Sequence, residues 1–233
     1  MATIADNLQR VRARLQQACA QAGRDPAGVR LLAVSKTWGA DAVRAAHAAG
    51  QRAFGENYVQ EGVDKVQRLR ADGVEGLEWH CIGPLQSNKT RPVAEHFDWV
   101  HTVDRLKIAQ RLSEQRPPGL APLQVCVQVN VDGGPNKSGV APADALALAQ
   151  AVAALPRLRL RGLMCIPEPA PDVAAACAVF GRARALWEQL RAAGLDLDTL
   201  SMGMSDDLEA AVASGSTLVR VGSAIFGARH YPA

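Results

Sequence analysis

The chain changes its hydropathy period eight times. Short β-branched or apolar runs alternate with longer, alanine-rich stretches of helical spacing. Leu31–Ser35 reads as a first strand, and Ala40–Ala49 as its helix, stopped by Gly50. Arg52–Gly55, Glu78–Ile82, Trp99–Val103, Leu123–Val131, Leu160–Ile166, Thr199–Met202 and Leu218–Val221 read as seven more strands. Helical segments fill the gaps near Tyr58–Arg70, Lys89–His96, Asp104–Gln115, Pro142–Ala154, Asp172–Ala193 and Asp206–Ser214, and Ala224–Gly227 starts a short last helix. Strands that alternate with helices pair in parallel. Eight such units in about 200 residues fit a (β/α)8 TIM barrel. A leading helix precedes them, with Ile4, Leu8, Val11, Leu15 and Cys19 on one face and Thr3 with Asp6 as a capping box. The expected fold is α/β: a single barrel domain over residues 1–233, with an extra N-terminal helix and no linker. The alternative, a doubly wound open sheet, lacks a GxGxxG after any strand. The segment Gly133–Ser138 resembles a P-loop but has Asn136 where glycine is required.

Composition narrows the class. With 48% hydrophobic and 21% charged residues, disordered and fibrous chains are excluded. The net charge of +3 is spread over 21 arginines and 5 lysines. Its densest cluster, Arg157, Arg159 and Arg161, alternates with Leu158 and Leu160. It reads as the entry to a strand whose other face is buried, not as a nucleic-acid surface, which calls for clustered charge and aromatic platforms. No apolar run approaches the ~20 residues of a membrane span, and Met1–Arg14 lacks the apolar core of a secretory signal. The expectation is a cytoplasmic protein with no membrane and no nucleic-acid partner. Five dispersed cysteines without a CxxC pair give no support to a metal site or a disulfide framework.

Barrel active sites lie where the strands end, in the βα loops. Lys36 stands at the end of the first strand, after Leu-Leu-Ala-Val. An ordinary solvated lysine is one reading. The other is amine chemistry, which arginine cannot supply: a desolvated lysine condenses with a carbonyl to a Schiff base. The loops after strands seven and eight carry Gly203, Ser205, Gly222 and Ser223, with a short helix starting at Ala224. Small residues, hydroxyls and a helix N-terminus suit a phosphate, although tight turns need the same glycines. Arg220 interrupts an apolar strand two residues before Gly222. It is either a barrel-interior ion pair or the holder of a ring acceptor or anion. Asp206 and Asp207 read as cap and first-turn acid of the next helix. His80 is a candidate ligand or base, and His47, His96 and His101 receive no role. A lysine for an imine, a phosphate site and an arginine on one rim suggest pyridoxal 5′-phosphate (PLP). A class I aldolase would use the same lysine and phosphate elements, so the residues leave both open.

Longer motifs carry a resemblance. Ala33–Thr37, Phe54–Tyr58, His80–Lys89, Ser201–Asp207 and Val219–Gly227 closely resemble the pyridoxal phosphate homeostasis family, nearly end to end. That family has the fold type III barrel of the alanine racemase N-terminal domain. The resemblance implies that Lys36 carries PLP as an internal Schiff base and that Arg220 faces the pyridine nitrogen. It also implies that Ser201, Gly203, Ser205, Gly222 and Ser223 hold the phosphate, and that Asn57 and His80 line the ring. Two departures are visible: Gly134 stands where the loop after strand five is expected to carry an acid, with Asp132 nearby, and Ser223 stands where threonine is common.

Arginine cannot give the pyridine nitrogen a proton, so the ring is a weak electron sink. Racemisation is the chemistry left, and it needs an acid/base on each face of the substrate. Fold type III racemases resemble this barrel but take a tyrosine from an added β domain across a dimer. This chain ends at Ala233, and its two tyrosines, Tyr58 and Tyr231, are no obvious second base. The expectation is therefore a PLP carrier with no catalytic residues. It stores the cofactor and delivers it to apo-enzymes through transient contact, as a monomer. An amino-acid racemase is the alternative.

Overall fold

The computed structural model describes residues 2–134 and 138–227. α1 (Ile4–Gln21) leads into eight strand–helix units. These are β1 (Arg30–Val34) with α2 (Ala40–Ala48), β2 (Ala53–Glu56) with α3 (Val59–Ala71), β3 (Glu78–Cys81) with α4 (Thr90–His96), and β4 (Trp99–Val103) with α5 (Leu106–Gln115). Then follow β5 (Leu123–Gln128) with α6 (Ala145–Ala153), β6 (Leu158–Met164) with α7 (Val173–Ala192), β7 (Thr199–Ser201) with α8 (Leu208–Ala213), and β8 (Leu218–Val221) with α9 (Ser223–Phe226). The strands pair in sequence order, and β8 closes on β1 in parallel, with Leu32 opposite Arg220. This is the expected (β/α)8 barrel. Strand and helix ends shift from the expected ones by a few residues. The largest change is in the fifth strand, which stops at Gln128, with only the isolated bridge Val129–Val140 beyond it.

Alternation along each strand sorts side chains to two faces. The outer face packs under the helices in one large apolar cluster that includes Phe54, Leu69, Phe97, Ile108, Leu112, Phe180 and Leu190. The inner face holds two small apolar groups. Leu32, Val34, Ala53, Ile82 and Leu218 form one; Trp99, Cys126 and Met164, with Ile166 against them, form the other. The remaining interior is polar: His80, His101 and Ser201 are fully buried, and Arg220 is 4% exposed.

The capping box at Thr3 and Asp6 forms as expected. α1 packs against α2, α8 and α9. It also ties down a loop at the strand ends: Arg14 forks onto Glu209 at 2.6 Å and donates to the Ser205 carbonyl at 2.7 Å. Two acids near helix starts bond elsewhere. α5 begins at Leu106 and Asp104 makes no cap bond; it pairs with the Arg105 guanidinium at 2.7 Å. α8 begins at Leu208, and Asp207 accepts the Met204 N–H at 2.6 Å, closing the loop before the helix rather than capping it.

Of the arginine cluster, one member packs against the barrel interior. Arg161 pairs with Asp198 and lies 4.7 Å over the Trp99 ring, and Arg30 lies 5.7 Å from the same ring while pairing with Glu78. Among the described residues no helix is long and apolar enough to cross a membrane, and no three His, Cys, Asp or Glu side chains are placed to hold a metal ion.

Leu32 carries much of the inner apolar contact under the mouth and is fully buried. Leu32→Ala should cost about 2–5 kcal/mol through the lost transfer energy and the cavity left behind. Urea denaturation followed by circular dichroism checks this.

Candidate functional site

The strand ends converge on one cavity of about 240 Å³ at the barrel mouth, lined by Val34, Lys36, Asn57, Ile82, Ile166, Met204, Ser205, Asp206, Arg220, Gly222 and Ser223. Six of the expected site residues lie on it: Lys36, Asn57, Ser205, Arg220, Gly222 and Ser223. A larger groove beside it shares only Met204 and Asp206 and contains none of those six.

Lys36 lies in a turn held from behind. Thr37 has a left-handed backbone at φ 68°, an uncommon state for a threonine. The Thr37 N–H donates to Glu61 at 2.6 Å. On the other side of Lys36, the Ser35 carbonyl accepts from Lys65 Nζ at 2.7 Å. Lys65 also donates to Glu56 and Glu61, each at 2.7 Å, and the Ser35 hydroxyl donates to Glu56 at 2.6 Å. The backbone on both sides of Lys36 is thereby fixed to one buried ion cluster under α3. Burial pushes the Glu56 carboxyl up, while the Lys65 charge and the hydrogen bonds from Lys65 and Ser35 pull it down.

The second strand's loop places Asn57 on the cavity, with Oδ1 buried and without a hydrogen-bond partner. The loop after β3 crosses it closely: a Cβ on Gly83 would lie 2.0 Å from the Asn57 carbonyl oxygen, so only glycine fits there. The Gly83 carbonyl accepts from Thr102 at 2.7 Å.

On the far rim, Gly203 has φ 94°, and a Cβ there would meet that of Ala211 at 2.3 Å. This residue does not line the cavity; it turns the chain so that Met204 and Ser205 do. Gly222 precedes α9, and Ser223, its first residue, lines the cavity. Arg220 reaches the cavity from β8. Its Nη1 donates to Ser201 Oγ at 2.7 Å and its Nη2 to the Cys165 carbonyl at 2.9 Å.

Besides Gly203, two expected site residues lie elsewhere. Ser201 and His80 are fully buried beneath the cavity, with their polar atoms committed inside the barrel. Ser201 Oγ bonds Arg220 and, at 2.9 Å, His101 Nδ1. His80 bonds His101 at 2.8 Å and Glu78 at 2.6 Å, and stacks on Trp99 with ring centroids 5.2 Å apart. Ser201, expected to hold a phosphate, and His80, expected to line a ring, stand in an interior hydrogen-bonded column below the lining. The physical reason is alternation: Ser201 stands two residues before Gly203, and His80 two residues before Ile82, one layer below the mouth.

Sequence reading missed the ion cluster and His101. Lys65 and Glu61 occupy an ordinary helix face, and no local pattern marks Lys65 as buried. Glu56 was visible inside a short apolar strand. In the loop after β5, Asp132 accepts the Glu168 N–H at 2.7 Å, and Asn130 holds Gly133 and Gly134. Lys137 and Tyr231 lie outside the described residues.

Fold and site together define a parallel eight-stranded barrel that presents a lysine, an arginine and serine hydroxyls in one mouth cavity. Residues 6–230 match the family described as alanine racemase, N-terminal domain. A pyridoxal phosphate homeostasis protein of Pseudomonas aeruginosa is 64% identical over 233 residues, covering 100% of this chain and 99% of that one. The chain belongs to the family of pyridoxal phosphate homeostasis proteins. PipY of Synechococcus elongatus PCC7942, in a structure with PLP bound, is 40% identical, with a TM-score of 0.83 over 97% of this chain and 100% of that one. Alanine racemase from Corynebacterium glutamicum shares the fold at 22% identity and a TM-score of 0.65; 95% of this chain matches 59% of that one.

Replacing Lys65 tests the ion cluster. Lys65→Met leaves Glu56 buried without its cation and should cost about 3–5 kcal/mol. Adding Glu56→Gln removes the stranded charge and should recover part of that loss. The Glu56 carboxyl is already raised by burial and rises further without Lys65. A raised carboxyl loses stability as pH climbs through its folded pKa, so the deficit of Lys65→Met against wild type should shrink on acidification. Denaturant titrations at several pH values check both statements.

Proposed function

We propose that this protein binds pyridoxal 5′-phosphate as a Schiff base on Lys36, and stores the cofactor and delivers it to apo-enzymes without robust catalysis of its own. The observation that carries this reading is the mouth cavity, where one primary amine, one guanidinium and two serine hydroxyls share a single small space. The donor set fits the group. The buried, unpartnered Asn57 Oδ1 is an acceptor awaiting a donor. The names of the curated relatives and the PLP-bound PipY structure support the same cofactor.

Bound pyridoxal 5′-phosphate supplies an aldehyde that condenses with a primary amine. Lys36 is that amine, and the ion cluster behind it holds its backbone still. Asn57 lines the ring. Ser205, Gly222, Ser223 and the first turn of α9 hold the phosphate, and Gly203 shapes the loop that brings Ser205 in. Arg220 would face the pyridine nitrogen as a donor that keeps its own proton.

A racemase reading requires a second acid/base facing Lys36. Among the described residues no tyrosine or histidine lines the cavity, and Tyr58 is 59% exposed outside it. The carrier reading extends to a cytoplasmic monomer of one domain that meets apo-enzymes transiently.

Borohydride reduction of the PLP-loaded protein should attach the cofactor to the peptide containing Lys36, and Lys36→Ala should remove both the adduct and the yellow absorption. Loaded wild type incubated with alanine or serine in deuterated water should show no α-proton exchange above the rate of free cofactor. Absence of a lysine adduct overturns the binding reading, and rapid exchange overturns the carrier reading in favour of the racemase.

A further inference from the structure

Below the mouth, five polar side chains form an unbranched line from barrel floor to cavity. Glu78 Oε1 lies 2.6 Å from His80 Nε2, and His80 Nδ1 lies 2.8 Å from His101 Nε2. His101 Nδ1 lies 2.9 Å from Ser201 Oγ, which is 2.7 Å from Arg220 Nη1. The two ends set the direction. A guanidinium can only donate, and a carboxylate can only accept. Glu78 is a carboxylate: burial pushes it up, but the His80 ring and the Arg30 guanidinium outweigh this and hold it below the usual carboxylate range. With both rings neutral, each group between them accepts from the Arg220 side and donates toward Glu78. The Ser201 hydroxyl donates to His101 Nδ1, His101 Nε2–H donates to His80 Nδ1, and His80 Nε2–H donates to Glu78. With both rings neutral, reversing either ring leaves two lone pairs or two donors face to face at one of its contacts.

We infer that Glu78, His80, His101 and Ser201 form a one-way hydrogen-bond chain that positions Arg220 at the mouth cavity. The line gives the buried guanidinium an acceptor that cannot turn away, because each member is held by the next. Trp99 clamps the His80 ring in nearly parallel stacking, with 10° between the planes. The Cys165 carbonyl holds Nη2, so both Nη groups are tied and the guanidinium plane is fixed. Around His80 the Glu78 and Asp98 carboxylates favour the charged ring, and burial, with Arg30, outweighs them. His80 faces Glu78, Arg30, Asp98 and His101; His101 faces His80, Ser201, Arg220 and Arg30. Burial lowers the proton affinity of both rings, and for His101 the cations add to it. These four are positioning residues, since none of them lines the cavity.

The first test needs no cofactor. Long-range proton–nitrogen NMR of the histidine rings in the wild-type protein should show His80 and His101 as neutral Nε2–H tautomers, unchanged between about pH 5.5 and 8.5. An Nδ1–H tautomer at either ring, or titration of either in that range, overturns the chain. The second test rests on the cofactor reading. Ser201→Ala should lower the affinity for pyridoxal 5′-phosphate about tenfold, the scale of one charge-assisted hydrogen bond. Unchanged affinity, whatever the change in melting temperature, overturns the positioning role. If wild type itself fails to bind the cofactor, the proposed function falls, while the tautomer spectrum still decides the chain.

Discussion

Closure of the parallel ladder between β8 and β1 is the constraint on which the rest depends. An open sheet would leave two edges with unpaired backbone groups. Closure removes them and covers every strand on both faces, by helices outside and by other strands inside. Because all eight strands run in parallel, all their C-terminal ends open on one rim. Residues as distant in sequence as Lys36 and Ser223 therefore share a cavity only because the last strand pairs with the first.

The same closure creates an interior that apolar side chains fill only in part. Two small apolar groups leave room for a polar line. A buried polar atom without a partner costs roughly 1–3 kcal/mol, so the interior pairs its own donors and acceptors. Four hydrogen bonds in series do this between Arg220 and Glu78. Outside the sheet the Lys65 cluster meets the same requirement in another way, with ions grouped around one carboxylate. Both devices end at the mouth, one beneath Arg220 and one behind Lys36, so the packing of the barrel fixes the two side chains with the most chemistry. The leading helix contributes too, since Arg14 ties the loop that carries Ser205.

Much of this was legible in the chain alone. The alternation of strand and helix periods predicted the barrel, and the rule that barrel sites sit at strand ends pointed to Lys36, Ser205, Arg220, Gly222 and Ser223. What escaped was depth along a strand. Ser201 and His80 belong to motifs whose other members line the cavity, yet they stand one layer lower, because successive inward residues descend toward the floor. His101 was passed over as a strand-start histidine, although its place in β4 puts it between His80 and Ser201. Asp104 and Asp207 have the right type and spacing for helix caps, but an adjacent arginine and a loop N–H claim their carboxylates.

The sequence by itself determined the elements, their parallel order, and the residue types available at the rim, because local periodicity and strand-end position are properties of neighbouring residues. Only the tertiary structure decided which polar groups face the cavity and which face one another. That choice depends on partners such as Glu56 with Lys65, and Ser201 with His101 and Arg220, which are brought together by barrel closure and packing rather than by spacing along the chain.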